Sequence, residues 1–211
     1  YTGYLKRHVP TEGASPQVNI PEDPVILITA GGGGDGEGLM EWVLRAYEYD
    51  PDLPYPAVLV LGPFMSQEKQ AEFLDRANRL DRVQAMTFDA RIENLMSKAA
   101  GMVSMGGYNT FCEILSFDKR ALIIPRTEPR LEQYIRAKRA EELGLISILV
   151  DNGDHDPKEM AKSLRKLPSQ PRPSEILPTD ILGGLPQVNR LAKRWLRKSR
   201  DLGNIPVRQR A

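Results

Sequence analysis

Cysteine is almost absent from this 211-residue chain, Cys112 being the single one. One thiol makes neither an intramolecular disulfide framework nor a cysteine metal cluster, so stability must come from a packed core, and a reducing, cytoplasmic setting suits it. Histidine is nearly as scarce: His8 and His155 stand alone, and neither has a serine or cysteine nucleophile in a motif with it, which removes a hydrolase triad from consideration. No apolar run approaches the roughly 20 residues that a bilayer demands. Nor is there an excess of one charge. With 29 basic and 28 acidic side chains the formal charge is +1, leaving no global field to attract nucleic acid.

What is present fits one folded domain. Hydrophobic residues make up 41% and charged residues 27%, the proportions of an average globular chain. Residues 1–24 are rich in Pro, Gly and polar side chains without a sustained period, the composition of an interdomain linker. The first residues, Tyr1-Thr2-Gly3-Tyr4-Leu5, resemble the middle of a longer protein, and an N-terminal partner domain of about 150–200 residues is expected before them. Residues 25–178 form the expected main domain and 179–211 a C-terminal helix and tail.

Within the main domain, short aliphatic runs alternate with segments of helical period. Strands are expected at 25–30, 57–61, 83–88, 101–104, 120–124 and 146–150, and helices at 39–49, 67–79, 92–99, 108–117, 130–143 and 157–166. Such alternation predicts an α/β fold: a doubly wound, mostly parallel Rossmann-like sheet of about six strands with helices on both faces. A proline-rich stretch, 167–178, precedes an amphipathic helix near 185–198, expected to pack on a neighbouring domain. Between Arg190 and Ala211 eight Lys and Arg residues face only Asp201. This basic end is either a solvated face or a patch for a partner or anionic lipid headgroups at a membrane surface.

Two glycine turns carry the chemistry. Ligands of open α/β sheets sit beyond the carboxyl ends of the strands. The first strand there runs into Gly31-Gly32-Gly33-Gly34-Asp35-Gly36-Glu37-Gly38, where the missing side chains admit a phosphate to the amides at a helix start. Gly31, Gly33 and Gly36 match G-x-G-x-x-G, yet the second strand ends Leu61-Gly62-Pro63, without the acid that a nicotinamide cofactor's ribose requires. A P-loop is absent as well. The second turn is Ser104-Met105-Gly106-Gly107-Tyr108-Asn109-Thr110-Phe111-Cys112-Glu113, again leading from a buried strand into a helix. Its amides suit a diphosphate and Glu113 suits paired ribose hydroxyls. Asp154-His155-Asp156 superficially mimics a metal-binding D-x-D, but beside Pro157 it reads as a turn and helix cap.

The ordered set Gly106-Gly107-x-x-Thr110-x-x-Glu113, Pro125 and Glu132-Gln133-x-x-x-Ala137 resembles the donor domain of GT-B glycosyltransferases. The nearest resemblance is to the family of the N-acetylglucosaminyltransferase that completes lipid II, over residues 25–150. The opening Thr2-Gly3-Tyr4 and the first glycine loop are similar to a bacterial group of predicted glycosyltransferases. The resemblance implies a UDP-sugar donor, close to UDP-N-acetylglucosamine, with Gly31, Gly32, Gly33, Gly34, Gly106, Gly107, Tyr108 and Thr110 at the diphosphate. It implies Glu113 at the ribose, Phe88, Arg91 and Ile92 at the base, and Glu132 with Gln133 at the sugar. That family usually carries two glutamines where Glu132 and Gln133 stand, so the sugar here is open to difference. Arg126 and Arg130, near the exit of the fifth strand, are either phosphate contacts or solvated charges. The resemblance further implies no cofactor and no metal, and a catalytic base supplied by the missing acceptor-binding domain, leaving this part inactive alone. Two alternatives stay open: an enzyme of the UDP-sugar 2-epimerase kind, or a non-catalytic nucleotide-binding regulatory module.

Overall fold

The computed structural model describes residues 2–7, 24–32, 34–89, 91–177 and 179–203. Six strands, β1 (Ile26–Thr29), β2 (Ala57–Val60), β3 (Val83–Met86), β4 (Gly101–Ser104), β5 (Ala121–Ile123) and β6 (Ser147–Ile148), form one sheet in the order β3-β2-β1-β4-β5-β6. Every neighbouring pair is parallel. The central strands are buried at every residue, which is why their sequences, ILIT, AVLV and GMVS, lack polar alternation. The edge strand β3, VQAM, exposes Gln84, and the two-residue β6 is only half-buried. All six expected strands and the doubly wound class are present; β3 and β6, at the two edges, are shorter than expected because an edge strand has only one ladder partner.

Helices cover both faces. Ile26 and Ile28 point to one core, completed by α1 (Glu37–Tyr49), α2 (Gln67–Ala77) and α6 (Pro157–Lys166); Leu27 points to the other, with α3 (Ile92–Lys98), α4 (Tyr108–Ser116) and α5 (Glu132–Glu142). Each fully buried aliphatic side chain contributes about 1.5–3 kcal/mol of transfer free energy. Caps fix where helices begin: Ser66 accepts the amide of Lys69 at α2, and Asp156 accepts that of Lys158 at α6 with Pro157 at the first turn. Trp42, fully buried, donates its indole N–H to the Asp156 carbonyl at 2.7 Å, tying α1 to the start of α6.

Two segments depart from their sequence-based description. The proline-rich stretch is not plain loop: it holds a 3-10 turn (Leu167–Ser169) and α7 (Pro173–Ile176), because proline is tolerated where a first-turn N–H needs no partner. Residues 2–7 of the linker lie on the domain, while 8–23 are outside the described residues. Tyr4 donates its N–H to the Ile181 carbonyl at 2.8 Å, its carbonyl accepts the N–H of Gly184 at 3.0 Å, and its ring packs at a tilt of 55° against Phe111, 5.0 Å between centroids. Beyond a 3-10 turn (Thr179–Leu182), α8 (Gly184–Gly203) leaves Leu185, Val188, Trp195 and Leu196 exposed.

Candidate functional site

The two glycine turns leave the sheet side by side and are built alike. β1 and β4 are neighbours in register, with Thr29 opposite Ser104. Both residues are buried polar groups at a strand end. The Thr29 hydroxyl accepts the amide of Gly31 at 3.2 Å, and the Ser104 hydroxyl accepts that of Gly106 at 3.3 Å. Each glycine then turns into the left-handed region, φ +68° at Gly31 and +71° at Gly106, which a side chain would resist. Arg136 of α5 braces the second turn, donating to the Gly106 carbonyl at 2.8 Å with its guanidinium over the Tyr108 ring.

Between the turns lies a cavity of about 350 Å³ walled by Thr29, Gly31, Gly32, Asp35, Met105, Gly106, Gly107, Tyr108, Asn109, Thr110, Arg126 and Gln133. The α4 helix starts on this wall. Gly107 caps it with no side-chain hydrogen bond, so no capping side chain covers the first turn, whose residues lie on the cavity wall. Oriented N–H groups at the positive end of a helix dipole attract anions.

Arg126, just past β5, lines the same cavity. Its guanidinium donates to Asp35 at 2.6 Å and to Glu132 at 3.1 Å, while its main-chain N–H is accepted by the Gln133 side-chain oxygen at 3.0 Å. Gln133 therefore keeps its amide N–H groups for the cavity. Arg126 also holds the Glu132 carboxyl below its ordinary range, after the main-chain N–H of Glu132 itself, with Arg130 adding to the field.

Of the residues expected at the diphosphate, Gly31, Gly32, Gly106, Gly107, Tyr108 and Thr110 line this cavity. Gly34 does not, being exposed towards Phe64, and Gly33 lies outside the described residues. Gln133 and Arg126 are on the wall; Glu132 lines a separate, more apolar groove beside Ile135 and Arg136, and Arg130 is exposed away from both. Glu113, further along α4, is not on the wall of this cavity and faces Arg7 at 3.9 Å. Burial raises its carboxyl above the ordinary value, Arg7 opposes that, and Glu93 of α3 adds to it. In the loop that follows β3, Phe88 and Arg91 are exposed, and Ile92, at the start of α3, packs on the core. In that loop Asp89 is buried and accepts the amide of Arg91 at 2.8 Å.

Asp35, Thr29, Ser104, Asn109 and Arg136 were not singled out by sequence. A hydroxyl residue two positions before a glycine at a strand end is the signal that marks Thr29 and Ser104; nothing local marks Asp35, whose partner is 91 residues away. The Asp154-His155-Asp156 segment is a turn and cap, with Asp156 capping α6. His155 within it bonds Asp151 at 3.0 Å and packs on Trp42, 5.5 Å between ring centroids. Among the described residues no three His, Cys, Asp or Glu side chains converge to hold a metal ion.

Residues 25–175 match the model of the glycosyltransferase family 28 C-terminal domain. Comparison with curated proteins gives no match by sequence. Among solved structures, the glycotransferase of kitacinnamycin is similar with a TM-score of 0.63 at 16% identity, covering 90% of this chain and 47% of that one. MurG of Acinetobacter baumannii gives 0.56 at 17% identity, covering 77% and 48%. The calicheamicin glycosyltransferase CalG4 gives 0.55 at 19%, covering 72% and 37%. These likenesses concern the fold, and the chain spans less than half the length of each of these proteins.

Proposed function

The chain belongs to glycosyltransferase family 28, as its C-terminal domain, and from that premise we propose that it holds the nucleotide-sugar donor of a hexosyltransferase. The donor is a UDP-sugar of the UDP-N-acetylglucosamine kind. The observation that carries this reading is the cavity shared by both glycine turns, lined by the uncapped first turn of α4 and by Arg126. A diphosphate accepts from those amides, Glu113 takes the ribose hydroxyls, the loop with Phe88, Arg91 and Ile92 borders the base, and Gln133 with Glu132 meets the sugar.

Catalysis in this reading is electrostatic. As the glycosidic bond breaks, negative charge grows on the leaving diphosphate, and oriented amides with a guanidinium stabilise it more than they stabilise the bound donor. The amides and Arg126 are sufficient for this role without a metal. The base that deprotonates the acceptor hydroxyl belongs to an N-terminal, acceptor-binding domain. α8, with Trp195 and Leu196 exposed beside a row of cations, offers the surface for that domain, and its basic side suits peripheral contact with anionic lipid on the cytoplasmic face. Among the described residues no helix is long and apolar enough to cross a membrane.

Calorimetric titration of the chain with UDP and UDP-sugars tests the reading. Binding without turnover is expected, and transfer once the acceptor-binding domain and an acceptor are supplied. Failure of UDP, UDP-sugars and pyrophosphate alike to bind would sink it.

A further inference from the structure

The Asp35–Arg126 pair occupies the place where the diphosphate is proposed to meet its guanidinium. Asp35 leaves the first glycine turn on the β1 side, and Arg126 comes from the exit of β5. β4 lies between those strands, so the 2.6 Å contact reaches across the end of β4 in front of the second glycine turn. Both side chains are walls of the 350 Å³ cavity. The remaining carboxylate on Arg126, Glu132, sits at the first turn of α5 and lines the neighbouring groove instead. Of the two anions that Arg126 holds, Asp35 is therefore the one standing in the diphosphate's space.

Resting on the diphosphate reading of this cavity, we propose that Asp35 is an exchangeable counter-ion for Arg126, which an entering diphosphate replaces and which returns as the product leaves. The physical reasons are three. Of the five N–H donors of Arg126, one on Nη1 goes to Asp35 and one on Nη2 to Glu132, so a phosphate oxygen approaching Nη1 competes with the Asp35 carboxylate for that nitrogen. The Asp35 side chain is 45% exposed, and an ion pair that open to water changes an equilibrium by at most about fivefold, which makes the exchange cheap. Once displaced, Asp35 stays near a doubly charged ligand and repels it, so the site binds its product less tightly than amides and guanidinium alone would. The pair keeps Arg126 aimed while the cavity is free of ligand and limits how long the spent nucleotide stays.

The sign of this effect is unusual, since removing a wall residue strengthens binding. UDP and inorganic pyrophosphate are titrated into the 211-residue chain and into its D35N, D35E, R126Q and D35N/R126Q variants, with dissociation rates of UDP followed by stopped flow. The expected result is a two- to fivefold tighter dissociation constant for D35N, about the size of an exposed ion pair, carried by slower release. D35E should restore wild-type behaviour. R126Q should bind more weakly, and adding D35N to it should change nothing further, because the coupling between the two side chains is then gone. Unchanged or weaker binding by D35N, or the same gain in the R126Q background, overturns the counter-ion role while leaving the diphosphate site standing. No binding of either ligand by the wild-type chain defeats the underlying reading and the inference with it.

Discussion

Adjacent glycines in the second turn should respond to the same substitution in opposite ways. At Gly106 the backbone is left-handed, φ +71°, and an added Cβ would lie 2.8 Å from Cγ2 of Ile123, a buried residue of β5. Alanine there carries a left-handed cost of about 1–2 kcal/mol. Crowding against the packed strand adds about 1–3 kcal/mol. Either Ile123 moves or the turn opens, and both displace the amides that face the cavity. At Gly107, φ is −53° and an added Cβ meets nothing within 4 Å. Alanine in that helix-capping position costs about 1 kcal/mol or less, but its methyl projects from a residue that lines the cavity. Urea unfolding followed by circular dichroism, with calorimetric titration of UDP on the same samples, separates the two. G106A should lose roughly 2–5 kcal/mol of stability, from those combined costs, and bind poorly. G107A should keep its midpoint nearly unchanged while UDP binding falls. A G106A as stable as the parent would refute the steric argument, and a G107A that binds UDP normally would move the phosphate away from this turn.

Four further outcomes are expected. Glu113→Ala should weaken UDP by about 1–3 kcal/mol, the loss of a charge-assisted hydrogen bond, read by titration. Because burial raises the Glu113 carboxyl in the folded chain, its protonation favours the native state. That contribution is complete below the ordinary value of 4.5 and lost as pH rises through the native one. Glu113→Gln should therefore be more stable than the parent near neutrality, with the gain shrinking on acidification in urea melts. Phe88→Ala, at a side chain 57% exposed, should leave stability within about 0.5 kcal/mol. It should weaken UDP but not pyrophosphate if the ring stacks on the base, by about 1–3 kcal/mol. Trp42→Ala should cost about 3–5 kcal/mol of stability through the emptied core, measured as a lower urea midpoint.

The sheet was legible in the sequence because fully buried strands cannot alternate: Val25 to Ile28 and Ala57 to Leu61 are continuous aliphatic runs that follow a proline, and Gly101 to Ser104 carries no charged residue and runs into a glycine turn. The β4-to-α4 turn was legible for a related reason, since consecutive glycines before a helix have few other uses. Three things were not. The ends of β6 and β3 depend on how many ladder partners a strand finds, which no local pattern encodes. The Asp35–Arg126 contact joins residues 91 apart, and each alone is an ordinary surface charge. The pairing of His155 with Asp151 against Trp42 also arises only when α1 and α6 meet. Glu132 was expected beside Gln133 at the sugar. In the structure the Glu132 carboxylate turns to Arg126 and towards the neighbouring groove, a choice made by a charge from another element.

The twin hydroxyls at the ends of β1 and β4 bear on how such a pocket persists. Thr29 and Ser104 each fasten the amide two residues ahead, so the loops are tied to rigid neighbouring strands rather than to each other. The entropy of ordering that main chain is spent when the sheet assembles, and an arriving anion finds its donors already aimed. Contacts made through peptide groups are also indifferent to side-chain identity nearby, so the rim is free to diversify towards new sugars while the hydroxyl-to-amide fastenings stay fixed.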